Sequence, residues 1–272
     1  MTTLPATPTP VPTPTRTDEP DRRLPALGGF APGVLRIELR RVLRNRRTLA
    51  FTLIMPGVFF LIFGLPQGGQ LLDNGRPVTA YVMISLAVYA AMVATTSAGG
   101  AVATERALGW SRQLRLTPLR PTAYVATKLI TAMTLGLLAV VVEFLVGAAA
   151  GVRIPVYVWL LSGLAAWIGS LVFAAFGLFI GYLVPAENVM QFIGPILAVL
   201  AMFGGLFVPV EVLPEVLQQV AKFTPVYGMG VLARAPLTGE AVSAAALANL
   251  VVWALVFGVG AARLFRRDTA RV

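Results

Sequence analysis

Between Arg153 and Glu187 the chain reads Ile154-Pro-Val-Tyr-Val-Trp-Leu-Leu-Ser-Gly-Leu-Ala-Ala-Trp-Ile-Gly-Ser-Leu-Val-Phe-Ala-Ala-Phe-Gly-Leu-Phe-Ile-Gly-Tyr-Leu-Val-Pro-Ala186, without one Asp, Glu, Lys or Arg. A helix rises about 1.5 Å per residue, so about 20 apolar residues cross the roughly 30 Å hydrocarbon core of a bilayer. Buried helices of water-soluble domains rarely need such a run. Outward from it, the same reading holds for 48–72, 77–104, 129–152 (interrupted by Glu143), 188–210 and 241–262. The expected fold is an all-α integral membrane protein with six transmembrane helices, at about 48–66, 79–100, 129–151, 157–183, 189–208 and 243–262.

Hydrophobic residues make up 57% of the chain and charged ones 12%, so the net charge of +10 is read by position and not as a sign of nucleic-acid binding. Arg36, Arg40, Arg41, Arg44, Arg46 and Arg47 precede the first span. Arg106, Arg112, Arg115, Arg120 and Lys128 separate the second and third, and Arg263, Arg266, Arg267 and Arg271 follow the sixth. The alternate loops hold only Arg76, Arg153, Lys222 and Arg234. Positive charge collects on the cytoplasmic side, which puts both termini in the cytoplasm.

The chain has no cysteine and no histidine, which removes disulfides, thiolate nucleophiles and the commonest metal ligand and general base. Neither Lys128 nor Lys222 stands in a Gly-x-x-x-x-Gly-Lys-Ser/Thr loop, so ATP is not bound here by that device. The acids beyond the tail are scattered, and no enzyme activity, cofactor or metal site is expected in this chain. Residues 1–32 carry eight prolines, with no apolar signal segment, and read as a disordered cytoplasmic tail before a membrane domain over 33–272.

Leu35, Leu39, Val42 and Leu43 recur at helical spacing among Arg36, Arg40, Arg41 and Arg44. That pattern is an amphipathic helix lying in the inner interface, and it serves equally as a topology anchor beside anionic lipid. Small residues from Thr95 to Gly100, and Gly163, Gly169, Ser170, Gly177 and Gly181, permit close helix packing or a break. After span five, Pro209, Pro214 and Pro225 forbid one straight helix, and an outer re-entrant helical hairpin is expected between spans five and six. Glu143 lies at about mid-depth of span three, where ionisation is costly. It is either a proton or substrate-cation site, or a protonated acid that holds helices together or lines a wet cavity.

The inner loop after span two opens Glu105-Arg106-Ala107-Leu108-Gly109-Trp110 and closes Leu114-Arg115-Leu116-Thr117-Pro118-Leu119-Arg120-Pro121. It is longer than a plain connection of about four to six residues. A Glu-Arg with a following Gly, then Leu-x-Leu-Thr-Pro-Leu-x-Pro before a span, resembles the corresponding loop of type 2 ATP-binding-cassette (ABC) exporter permeases, particularly the daunorubicin-resistance-permease-like branch. The Phe-Val-Pro, Leu-Pro and Thr-Pro-Val-Tyr pattern from Asn188 to Tyr227 resembles the same family, and the likeness covers 33–272.

The resemblance implies that Glu105, Arg106, Gly109, Trp110, Leu114, Thr117, Pro118 and Leu119 form a coupling element seated on a separate ABC ATPase subunit, present in two copies and holding the ATP and Mg. It implies a half-transporter that pairs with a second copy or a related permease. Export of an amphipathic drug, antibiotic, lipid or glycolipid across the cytoplasmic membrane of a bacterium would follow, as in multidrug efflux and antibiotic resistance. It points to spans one, two and five as the dimer-facing pathway, where Phe59, Phe60, Phe63, Met202, Phe203 and Phe207 suit either the pathway or lipid. The rival readings are a secondary transporter or channel that uses Glu143, and a membrane scaffold without transport.

Overall fold

The structure is a computed structural model that describes residue 30 and residues 32–109 and 121–270. The expected tail lies almost wholly outside the described residues, and so do Trp110, Leu114, Thr117, Pro118 and Leu119.

Helix α1, Pro32–Arg44, turns Leu35, Glu38, Leu39 and Val42 towards the bundle and leaves Arg36, Arg40 and Arg44 exposed. These four inward positions follow the helical repeat, so one stripe packs while the arginines stay wet. Residues 46–67 form α2, the first span, and it is not a regular α-helix. Two π-helical segments, Ala50–Ile54 and Phe60–Gly64, flank Met55–Phe59, and a 3-10 turn, Leu65–Gln67, ends it. Pro56 offers no N–H to the Thr52 carbonyl, and wide turns on either side absorb the misfit.

Next come α3 (Val78–Gly100) and its continuation α4 (Val102–Ala107), then α5 (Pro121–Ala149). Span four divides at Ser170 into α6 (Val156–Gly169) and α7 (Leu171–Leu183). After them follow α8 (Ala186–Phe203), α9 (Glu215–Phe223), α10 (Pro225–Thr238) and α11 (Ala244–Ala270). Six helical stretches are long and apolar enough to cross a membrane, and the described residues contain no named strand, only a bridge between Leu71 and Pro77.

The centre of the bundle is α3, packed on α5, α7, α10, α8 and α6. Its apolar window is 67% buried, against 28%, 24% and 17% for α2, α8 and α11, so these three are the least covered spans. Lipid offers helices no hydrophobic incentive to associate, so close contact rests on small residues. A Cβ on Gly177 would strike the Thr96 carbonyl oxygen, and one on Gly99 would lie 2.8 Å from Ala174 O. The run of small residues at the end of span two therefore serves close approach. The helix continues to Gly100 before a slight turn at Ala101.

The segment after α8 turns at Gly205 (φ +82) and Pro209 and then folds back along the bundle. Trp253 Nε1 donates to Phe223 O (2.9 Å), and Asn249 Nδ2 to Lys222 O (2.8 Å) and Thr224 O (3.1 Å). Pro214 and Pro225 stand at the starts of α9 and α10, where a missing N–H costs nothing. From there α10 buries Met229, Ala233 and Leu237 against α6, α11 and α3. The third span's helix begins at Pro121 instead of 129 and the sixth runs to Ala270 instead of 262, whereas the fifth ends at Phe203 instead of 208. In the first two, ion pairs hold the charged ends.

Candidate functional site

Among the described residues, a cluster of charged side chains gathers where α4 ends, at the root of the segment that follows Gly109. Leu108 N donates to Thr104 O and Gly109 N to Arg106 O, and Gly109 adopts φ +73. That left-handed residue stops the helix, a conformation that favours glycine.

The last turn before this stop carries Glu105 and Arg106, and they face opposite ways. Glu105 is 5% exposed. Its carboxylate accepts hydrogen bonds from Lys128 Nζ (2.5 Å), Tyr124 Oη (2.7 Å) and Arg41 Nη2. Glu38 of α1 joins the same cluster, accepting from Lys128 Nζ (2.5 Å) and Arg41 Nη2 (2.8 Å). Two carboxylates thus meet two cations, and α1, α4 and α5 are tied at one point. Burial opposes the Arg41 charge, but the Glu105 and Glu38 carboxylates outweigh it and hold the guanidinium above the ordinary arginine value.

Arg106 reaches the other way. Its Nε and Nη2 grip Asp268 of α11 at 3.1 and 2.6 Å, and its Nη1 donates to Gly181 O (3.2 Å) and Tyr182 O (3.1 Å) at the end of α7. The guanidinium also lies over the Tyr182 ring, 5.5 Å from its centroid. A paired carboxylate grip with two helix-end carbonyls places a cation where unpaired C=O groups and the helix dipole both favour it. Beside it a cleft of about 710 Å³ opens between α4, the α7–α8 link and α11.

Of the sequence-expected coupling residues, Glu105, Arg106 and Gly109 fall on described residues and sit together at this root. Of the four interface arginines only Arg41 enters the cluster. Sequence reasoning did not single out Glu38, Tyr124 or Asp268, or treat Lys128 as a site. A signal existed for Glu38, which shares the helical stripe of Leu35, Leu39 and Val42.

Glu143 lies elsewhere, fully buried where α5 meets α2 and α3, and neither of its oxygens meets a hydrogen-bond donor among the described residues. A Cβ on Gly57, next to Pro56, would be 3.7 Å from Glu143 Oε2. The aromatic candidates divide. Phe60 is buried and Phe59 and Phe203 half-buried, whereas Phe63 (61%), Met202 (52%) and Phe207 (41%) are exposed. Phe207 packs on Tyr89 of α3 with ring centroids 4.9 Å apart.

Residues 33–237 match the profile of the ABC-2 type transporter, from α1 through most of α10. The chain belongs to that family. The protein described as "Putative transport permease YvfS" from Bacillus subtilis (strain 168) is 31% identical over 195 residues, which are 71% of this chain and 79% of that protein. An ABC-2 type transporter chain with six membrane-crossing helices is a multi-pass membrane permease. The family match takes in Glu38, Arg41, Glu105, Tyr124 and Lys128, and stops short of α11 with Asp268.

Proposed function

We propose that this permease is the membrane half of an ATP-driven exporter, and that the 108–120 loop receives the push of a separate ATPase subunit. The observation that carries the reading is the opposed bonding of Glu105 and Arg106. A force on the loop passes through Glu105 into α1 and α5 and through Arg106 into α7 and α11, so one displacement is divided between two groups of helices. Rigid packed helices are suited to convey such a two-state shift. Both residues act as positioning groups at the root, and Trp110, Leu114, Thr117, Pro118 and Leu119 supply the surface that meets the ATPase.

The basic segments cluster at the end that carries this root, which supports a cytoplasmic placement of both termini in a bacterial cytoplasmic membrane. The sparsely buried α2 and α8 support a dimer of permeases, with two ATPase subunits holding the ATP and Mg. Phe63, Met202 and Phe207 then face a route for an amphipathic cargo, a drug, antibiotic, lipid or glycolipid. The hairpin from Pro209 to Pro225 re-enters the outer leaflet on this orientation.

The test is a complex of the permease with its ATPase in vesicles, with ATP turnover and efflux measured together. Leu114→Asp is expected to release the ATPase, and Arg106→Gln to keep it bound while lowering export per ATP. Unchanged assembly, turnover and export in the Leu114→Asp protein would remove the coupling assignment. Glu143, whose oxygens meet no donor among the described residues, favours a second reading, proton- or cation-coupled transport by the chain alone. Transport without nucleotide, driven by a proton gradient and abolished by Glu143→Gln, would put that reading first.

A further inference from the structure

At the end of the bundle away from the basic segments, a cavity of about 330 Å³ opens between the 68–77 loop and α10. Its floor is Arg234, only 6% exposed. Among the described residues, the guanidinium is held by neutral groups. Nη1 donates to Ser85 Oγ (3.2 Å) and Gly205 O (3.1 Å), and the plane lies over the Tyr81 ring at 4.9 Å. Among the described residues no carboxylate lies within ion-pairing distance of it, and Nε and Nη2 make no hydrogen bond. Gly230, one turn earlier, gives the head room, since a Cβ there would stand 3.1 Å from Nη1 and 3.2 Å from Nη2. A buried cation without a counter-ion is costly, and here the surroundings hold it open towards a cavity.

The rim has the opposite sign. Asp73 and Glu240 line the same cavity and are both exposed. Asn74 fixes this rim by donating from Nδ2 to Leu237 O (3.1 Å) and Thr238 O (2.7 Å). Ser85 lies seven residues into α3, so the guanidinium sits about 10 Å below the start of that helix while the carboxylates stand at its mouth. A simple anion would meet two carboxylates at the entrance, and a simple cation would meet Arg234 at the bottom. A ligand with its negative group deep and its positive group outward satisfies both.

We propose that this cavity is a headgroup site for a zwitterionic phospholipid, with the phosphate seated on Arg234 and the ammonium at the Asp73 and Glu240 carboxylates. In a bilayer leaflet the phosphate of such a lipid lies nearer the acyl chains than its amine, which is the order of charge found here. Arginine suits the phosphate because its planar fork donates two parallel hydrogen bonds. The site needs no nucleotide and no ATPase, so its failure would leave the proposed coupling untouched.

The experiment is native mass spectrometry of the full-length chain in detergent, titrated with phosphatidylethanolamine, phosphatidylglycerol and inorganic phosphate. Phosphatidylethanolamine is expected to bind about tenfold more tightly than phosphatidylglycerol, which has the phosphate without the amine. Arg234→Gln should weaken phosphatidylethanolamine about tenfold while Arg234→Lys weakens it less. The pair Asp73→Asn, Glu240→Gln leaves the buried contacts intact and should bring phosphatidylethanolamine down to the phosphatidylglycerol level. Equal binding of the two lipids, or indifference to the Asp73 and Glu240 changes, would overturn the proposal. So would displacement of the lipid by millimolar inorganic phosphate, which would make this a free-anion site. Should Arg234→Gln fail to fold, the rim pair decides the matter alone.

Discussion

Glu105 and Arg106 are adjacent in the chain and bonded in opposite directions, the first to Lys128 and Arg41 and the second to Asp268 and the end of α7. On a helix, successive side chains point about 100° apart, so two neighbours at a helix end can serve two walls of a bundle. Residues far apart in sequence thereby meet at one loop.

Glu105→Gln leaves the buried Lys128 and the half-exposed Arg41 sharing Glu38 alone. Breaking one side of a buried ion pair costs about 3 kcal/mol, and removing both partners costs less than the sum. The melting temperature in detergent should fall clearly for Glu105→Gln and recover in part for Glu105→Gln with Lys128→Met. A double variant as unstable as the two losses added would show that the charges do not depend on each other.

Arg106 and Asp268 are partly exposed, with side-chain accessibilities of 29% and 26%, so their pair should contribute only about 1 kcal/mol to stability. Asp268→Asn is expected to melt almost like the parent. In a reconstituted complex it should nevertheless export less cargo for each ATP hydrolysed, matching Arg106→Gln, and the two together should do no more than either alone. Separate, additive losses in export would break the link.

The crossing of α3 and α7 tolerates no side chain at Gly177, where the obstacle is backbone at Thr96. Gly177→Ala should destabilise the fold by about 1–3 kcal/mol, as overpacked cores do, and lower the yield of folded protein. Gly194 of α8 has open space around a Cβ, and Gly194→Ala should be neutral or slightly stabilising. Equal yields from both variants, measured by size-exclusion chromatography, would contradict the crossing.

Glu143 is fully buried with no donor to its carboxyl among the described residues, a setting that accepts a neutral side chain of its size and resists an unpaired charge. Glu143→Gln should fold and melt like the parent, and Glu143→Lys should not accumulate in the membrane. Normal accumulation of Glu143→Lys would mean that water reaches this position.

The spans were legible because charge-free runs as long as 154–186 have one physical explanation. The coupling root was legible only in part. Glu105 and Arg106 stood out, but Asp268 is 162 residues from Arg106 and nothing local marks the pair. Lys128 reads as the boundary of a span when charge alone is counted, yet it is 4% exposed inside a helix because Glu38 and Glu105 compensate it. Arg234 likewise reads as a loop cation, and only the folding back of α10 carries it under the rim. The irregularity of α2 was hinted at by Pro56, but the wide turns on either side depend on what α3 and α5 leave room for.

Those wide turns give the first span a property the other five lack. Each π segment contains more residue per revolution than an α-helix, so the rod is underwound twice within a short distance while its main chain remains hydrogen-bonded to itself in lipid. The misfit at Pro56 is thereby spread over two wide turns, and Pro56 and Gly57 themselves stay buried between them.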